Sequence, residues 1–96
     1  MSLRQIIRER RSDILATARQ FGASKVRLFG SVAREEDTIQ SDIDFLVELE
    51  PGRSLMDHAG LKLALEELLE RSVDVATEKG LKPRFRERIL REAVEV

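Results

Sequence analysis

Residues 41–49 read SDIDFLVEL and carry the strongest strand pattern in the chain. The apolar residues of this stretch fill every second position, namely Ile43, Phe45, Val47 and Leu49. A strand uses this period to place one face on a core. The opposite face begins with Asp42 and Asp44, although Asp is disfavoured in strands and like charges on one face repel each other. Such a pair needs a physical reason.

The residues before this strand predict two helices and one strand. Apolar residues at three-, four- and seven-residue spacings predict an amphipathic helix over 3–21 that ends at Gly22. The sequence KVRLF at 25–29 predicts a strand, which the pair Gly30-Ser31 interrupts. The sequence VAREED at 32–37 then predicts one or two turns of helix.

The residues after the strand at 41–49 predict two helices and a third strand. Ser54 lies three residues before Asp57 and predicts a capping box for a helix from Leu55 to about Arg71. We expect its apolar side to include Met56, Ala59, Leu63, Leu65, Leu68 and Leu69. The sequence SVDVAT at 72–77 predicts a strand with Val73 and Val75 inward. A last helix is predicted from about Pro83, with Phe85, Ile89 and Ala93 on one side.

These elements follow the order α-β-α-β-α-β-α within 96 residues. That length is enough for one domain and too short for two. We therefore expect residues 1–96 to form a single domain of the α/β or α+β class. Its sheet should be small, with about three strands flanked by helices. The direction of the strands does not follow from the pattern.

The composition excludes several classes of function. The chain has no Cys, so disulfides, thiolate metal sites and a Cys nucleophile are excluded. Its net charge is −1, with 17 basic and 18 acidic residues, and it has four Phe but no Trp or Tyr. We therefore expect no direct nucleic-acid binding. No apolar run is long enough to span a membrane and no signal-peptide core is present, so a cytoplasmic location is expected.

Three of the six Asp residues lie in predicted strands, on the face opposite the apolar residues: Asp42, Asp44 and Asp74. Residues two apart in a strand are separated by roughly 6.6 Å. Two full charges at that distance repel by about 2.5 kcal/mol at an effective dielectric near 20. A divalent cation removes this conflict, and carboxylates of one parity suit a two-metal site for phosphoryl or nucleotidyl transfer. The alternative is that the aspartates are solvated, with Asp42 as a turn residue.

The pair Gly30-Ser31 follows a predicted strand and begins a predicted helix. Gly allows close backbone approach, and free N–H groups beside a hydroxyl favour a phosphate. Arg34, one turn later, would add a charge-assisted contact to the same phosphates. The alternative is an ordinary turn in which Ser31 is the helix N-cap.

Taken together, Gly30, Ser31, Asp42, Asp44 and Asp74 form a composite motif. With it the chain resembles the minimal nucleotidyltransferases, the small branch of the DNA polymerase beta-like nucleotidyltransferase superfamily. The resemblance runs from VRLFGSVARE through SDIDFLVEL and RSVDVAT to RERILREAV, about three-quarters of the chain.

This resemblance implies a nucleotidyltransferase core with a small mixed sheet, which binds ATP and Mg²⁺, with two ions expected. It implies that Gly30 and Ser31 hold the phosphates, helped by Arg34. It also implies that Asp42 and Asp44 bind the metal and that Asp74 acts as a further ligand or as the base for the acceptor hydroxyl. Many relatives are antitoxins beside a HEPN-domain toxin, and some neutralise it by adding AMP to a tyrosine. The same protein adenylyltransferase and antitoxin function is the expectation for this chain.

The run Arg34-Glu35-Glu36 departs from the Arg-Gly-Glu that the family often carries. Loss of the Gly removes backbone freedom, and Glu35 adds negative charge near the expected phosphates. This departure favours a second function, in which a non-catalytic module neutralises its partner by occlusion. A third function is a small-molecule adenylyltransferase of the aminoglycoside-modifying kind, for which the chain length leaves little room for an acceptor pocket.

Two other features invite a functional interpretation. His58 is the only histidine and is expected to be structural, because no partner for it is apparent. The basic residues of the last helix are Arg84, Arg86, Arg88 and Arg91. Since Glu87 and Glu92 lie among them, we expect a solvated face with salt bridges instead of a nucleic-acid site.

Overall fold

A computed structural model describes residues 2–96 of the chain. The helices are α1 (Leu3–Glu9), α2 (Arg11–Gln20), α3 (Gly30–Ala33), α4 (Leu55–Leu69) and α5 (Pro83–Glu92). The strands are β1 (Ala23–Phe29), β2 (Ile43–Leu49), β3 (Val73–Thr77) and β4 (Val94–Glu95). A single 3-10 turn, Glu78–Gly80, lies between β3 and α5.

The sheet has four strands in the order β3-β2-β1-β4. Strand β1 pairs antiparallel with both β2 and β4, whereas β2 and β3 are parallel. The parallel pair requires a crossover connection, which α4 supplies. The predicted mixed α/β fold is therefore confirmed, with one strand more than expected.

Strand β2 is central and packs its apolar face as predicted. Ile43, Phe45 and Val47 are almost inaccessible to solvent, and they join residues of α1, α2, β1, α4 and β3 in one core. Leu46, on the opposite face, is also fully buried. That face is therefore covered over part of its length and open where the aspartates lie.

The first predicted helix is divided at Arg10. The amide of Arg10 is shared between the carbonyl oxygens of Ile6 and Ile7, at 3.0 and 3.1 Å. Shared bonds of this kind are common where a helix ends, and α2 begins at the next residue. Ile7 and Ile14 remain on the buried side, as the spacing predicted.

The prediction for the apolar face of α4 was wrong in part. The capping box of Ser54 and Asp57 is present, but the buried residues are Leu61 and Leu65. Met56 and Leu63 are 82% and 65% exposed, and Ala59 is exposed as well. Apolar residues surround the whole helix, so their spacing alone did not define one face.

The last helix ends at Glu92, and Ala93 is already extended. Val94 then pairs with Leu28, and Glu95 pairs with Arg27. The predicted helical position of Ala93 is therefore wrong. A strand of two residues has no alternation that a sequence pattern could reveal.

No helix among residues 2–96 is long and apolar enough to cross a membrane.

Candidate active site

Asp44 and Asp74 face each other across the two parallel strands. The register of β2 and β3 pairs Asp44 with Asp74, between the pairs Ile43–Val73 and Phe45–Val75. Neighbouring strands lie about 4.8 Å apart, so the two side chains leave the sheet side by side on one face. Asp44 is partly buried and Asp74 is exposed. The aspartate pair that parity predicted is thus formed by strand pairing.

Asp42 lies just before β2 and is exposed. The prediction that it is part of the strand was wrong, and its position before the strand matches the turn alternative. Its charge still acts on Asp44. The loop that carries Asp42 is attached to the start of β3 by Arg71, whose Nη2 donates to the carbonyl oxygen of Ser41 at 2.8 Å.

Asp44 belongs to a carboxylate cluster that also contains Asp42, Asp74 and Glu92. Its pKa is raised from 3.8 to about 6, first by burial and then by its neighbours Asp74, Asp42 and Glu92. Each influence opposes ionisation, because a carboxylate loses hydration and meets neighbours of its own sign. The charges of Asp74 and Asp42 thus contribute the kind of repulsion that the sequence pattern predicted, after the larger effect of burial.

Gly30 closes the other side of Asp44. Phe29 is the partner of Asp44 in the β1–β2 ladder, and Gly30 follows with a φ of +74°. A β-carbon at Gly30 would collide with Oδ2 of Asp44. Both the backbone conformation and the close approach therefore require glycine at this position.

Ser31 lies inside the first turn of α3, and the N-cap position belongs to Phe29. The alternative in which Ser31 is the N-cap is therefore wrong. Ser31 nevertheless directly follows Gly30, whose turn lies against the side chain of Asp44 in β2.

Arg34 ends α3 and is held by two carboxylates. Its Nε donates to Oε1 of Glu36 at 2.6 Å, and its Nη1 donates to Oε1 of Glu92 at 2.9 Å. The other carboxylate oxygen of Glu92, Oε2, accepts the backbone N–H of Gly30 at 2.6 Å. Glu92 thus bridges the two groups to which the sequence assigned phosphate binding.

Glu92 was not among the predicted site residues. Its side chain is 16% exposed and it reaches the site from the end of α5, 62 positions along the chain from Gly30. It was expected to form salt bridges with the arginines of its own helix. No local signal in the sequence distinguishes the two roles, because the contact depends on how α5 packs against α3.

Glu35 occupies the position where the family often has Gly, and its φ is +58°. This is the left-handed conformation, which favours Gly and is strained in a residue with a side chain. Glu35 is exposed, and it is Glu36 that pairs with Arg34.

The remaining candidates lie outside this cluster. Nε2 of His58 is 2.6 Å from the carbonyl oxygen of Val75, a contact that attaches α4 to β3, as a structural role requires. Among the arginines of α5, Arg84 and Arg88 stack on Phe85, and Arg86 lies 3.8 Å from Glu78. In the described part of the chain, none of the α5 arginines forms the expected salt bridge with Glu87 or Glu92.

Residues 2–96 contain no group of three or more His, Cys, Asp or Glu side chains arranged to hold a metal ion. Asp44 and Asp74 nevertheless supply the hard oxygen donors that Mg²⁺ takes, and the pKa of Asp44 is raised by its carboxylate neighbours. One or two carboxylates are the usual protein share of such a site, because substrate phosphates supply the rest. The donor set therefore fits Mg²⁺.

A glycine turn whose amide and neighbouring guanidinium both hold a carboxylate lies next to the paired aspartates, and such donors suit an anionic group such as a phosphate. The family described as "Nucleotidyltransferase domain" matches residues 3–96, so the chain belongs to this family and is a nucleotidyltransferase.

Named relatives agree with this assignment. MJ0435 of Methanocaldococcus jannaschii, provisionally named a protein adenylyltransferase, is 43% identical over 90 residues, which are 94% of this chain and 97% of that protein. Protein adenylyltransferase MntA of Thermococcus cleftensis is 38% identical over 77 residues, 80% of this chain and 78% of that protein.

Solved structures share the fold. A provisionally assigned minimal nucleotidyltransferase matches with a TM-score of 0.88 and 52% identity, over 100% of this chain and 97% of that chain. A chain from a toxin–antitoxin structure with AMP-PNP matches with a TM-score of 0.74 and 19% identity, over 88% of this chain and 69% of that chain.

Proposed function

We propose that this protein transfers AMP from ATP to a hydroxyl group of a partner protein and acts as the antitoxin of a toxin–antitoxin pair. The partner is a HEPN-domain toxin, with a tyrosine as acceptor. The observation that carries the proposal is the pairing of Asp44 with Asp74 across β2 and β3, with the Gly30 turn directly against Asp44. The names of the relatives support the reaction class and the type of partner.

In this proposal the site residues have separate roles. Gly30, Ser31 and Arg34 bind the phosphates, while Asp42 and Asp44, with Asp74 as a further ligand, hold Mg²⁺. The cation would neutralise the phosphate charge and polarise the reacting phosphoryl group.

The acceptor oxygen attacks the α-phosphorus and loses its proton to a carboxylate, for which Asp74 is placed at the exposed edge of the cluster. The bond between the α-phosphorus and the bridging oxygen breaks, and pyrophosphate leaves with the electron pair. Most of the catalytic effect then comes from positioning and charge neutralisation, which a small domain can provide.

The shape of the site favours a macromolecular acceptor. Two cavities of the described residues are lined by other parts of the chain, around Lys25, Glu78 and Arg53. The aspartate face is open, so a small acceptor would find few enclosing walls. This observation weighs against the aminoglycoside-type alternative.

The decisive experiment follows the label of ATP. The protein is incubated with Mg²⁺, a lysate of its source organism, and ATP labelled at either the α- or the γ-phosphate. We expect the α-label alone to enter a protein band, and only with intact aspartates. The variant Asp42→Asn/Asp44→Asn is the inactive form, and Asp37→Asn, in the loop before β2, is the matched control that should keep activity.

The second candidate function is a non-catalytic antitoxin that neutralises its partner by occlusion. It is favoured because Glu35 has a strained backbone and Glu92 accepts the Gly30 N–H that a phosphate would need. A lysate protein that co-purifies equally with wild type and with the double variant, while no label transfers, would establish occlusion and overturn the transfer reaction.

A further inference from the structure

Glu92 makes the only anionic contact with the Gly30 amide among residues 2–96. One carboxylate oxygen takes the Gly30 N–H at 2.6 Å and the other takes Nη1 of Arg34 at 2.9 Å. An amide and a guanidinium held by two oxygens of one anion are arranged as they would be for two oxygens of a phosphate. The protein therefore binds its own carboxylate at the place where the proposed function needs a substrate phosphate.

The contact is built into the fold. The positive φ of Gly30 directs its N–H to the carboxylate, and the side chain of Glu92 is largely shielded from solvent. Residues 94–95 pair with β1 directly after α5, so the backbone next to Glu92 is fixed. The side chain alone is free to leave, by rotation about its own bonds.

Charge repulsion disfavours the binding of a nucleotide phosphate while the Glu92 carboxylate is at the Gly30 amide. Glu92 already acts on Asp44 together with Asp42 and Asp74, so the site carries four carboxylates that repel a further anion. A triphosphate that reached the Gly30 amide would meet the carboxylate of Glu92 at hydrogen-bonding distance.

We propose that Glu92 is a built-in competitor for nucleotide phosphate, which must leave the Gly30 amide and Arg34 before a nucleotide binds there. Glu92 thus sets nucleotide affinity without taking part in the reaction. This inference rests on the proposed function, since it assigns the phosphates to the same turn. Removal of Glu92 leaves Arg34 aligned, because Glu36 holds its Nε at 2.6 Å.

The test compares binding of Mg²⁺–AMP-PNP to wild type, Glu92→Ala and Glu92→Gln by titration calorimetry. Glu87→Ala is the control, because Glu87 lies on the exposed side of the same helix and has no ion pair among the described residues. We expect Glu92→Ala to bind about tenfold more tightly than wild type, since a charge-assisted contact no longer has to be broken. Glu92→Gln should gain less, as its amide oxygen still accepts the Gly30 N–H, and Glu87→Ala should match wild type.

The amide resonance of Gly30 gives a second readout that needs no nucleotide. It should shift upfield in Glu92→Ala, as the hydrogen bond to a carboxylate is lost, and stay in place in Glu87→Ala. An unchanged resonance would show that the contact does not exist in solution and would overturn the inference. The same readout reports whether the variant is folded.

The two proposals fail in different ways. If wild type binds AMP-PNP and Glu92→Ala binds it equally or more weakly, Glu92 is no competitor, and the proposed function is untouched. Weaker binding only in the presence of Mg²⁺ would identify Glu92 as a cation ligand instead. If no variant binds AMP-PNP, the proposed function and this inference are both wrong.

Discussion

Gly30 has a φ of +74°, and Oδ2 of Asp44 fills the place where a β-carbon would be. Two separate constraints therefore meet at one residue. The first is a backbone conformation that costs an L-residue about 1–2 kcal/mol. The second is steric, because the close contact links the position of the Gly30 turn to that of Asp44, a candidate catalytic carboxylate.

These constraints can be separated by a matched pair of variants. Gly52 has a φ of +88° and nothing within 4 Å of its ideal β-carbon. We expect Gly30→Ala and Gly52→Ala to lose similar free energy of unfolding from the backbone, about 1 kcal/mol. Only Gly30→Ala must displace Asp44, so only this variant should lose label transfer, by about 100-fold.

Urea unfolding and the α-label assay on the same preparations provide the measurement. Equal activity of the two variants would show that the contact between Gly30 and Asp44 has no part in transfer.

At the scale of the elements, α4 shows where pattern analysis succeeds and where it does not. The capping box at Ser54 was predicted because its residues are neighbours in the chain and need no tertiary context. The buried face was predicted incorrectly, because leucines surround the helix and only the position of the sheet selects Leu61 over Leu63. The local capping interaction could therefore be predicted from the sequence, whereas the choice between the apolar faces of α4 could not.

This choice can be measured with one substitution at two positions of α4. Leu61 is 0% exposed and Leu63 is 65% exposed. Leu61→Ala should lower the free energy of unfolding by about 2–5 kcal/mol, as transfer and cavity terms add. Leu63→Ala should change it by less than about 0.5 kcal/mol. Equal losses of unfolding free energy in chemical denaturation would contradict the burial of Leu61 and the exposure of Leu63.

At the scale of the whole molecule, the class of fold was predictable because each long element carries its own periodicity. The alternation in residues 43–49 identified the central strand and the parity of Asp44. Two features were not predictable. Strand β4 is too short to show a period, and Glu92 reaches Gly30 only through the packing of the last helix. Both depend on contacts between opposite ends of the chain.

The carboxylate cluster also affects the stability of the whole molecule. The pKa of Asp44 is raised from 3.8 to about 6, so between these pH values the folded state binds more protons than the unfolded state. By linkage, the contribution of Asp44 to stability falls as pH rises through this window and is unfavourable above it.

Asp44→Asn should therefore become more stable relative to wild type as pH rises from about 4 to about 7. Because solvent reaches the open side of the carboxyl group, we expect a gain of about 2 kcal/mol, below the full effect of the shift. Urea unfolding across this pH range measures it, with Asp37→Asn as the control. A difference between wild type and Asp44→Asn that does not vary with pH would contradict the raised pKa.

The alignment of Asp44 with Asp74 across β2 and β3 has an evolutionary consequence. Loss of either carboxylate would relieve repulsion while the apolar face of the sheet stayed intact. Under the proposed function, such changes would give inactive, more stable descendants that keep the surfaces a partner recognises. Both aspartates would then be retained only while selection acts on the transfer reaction.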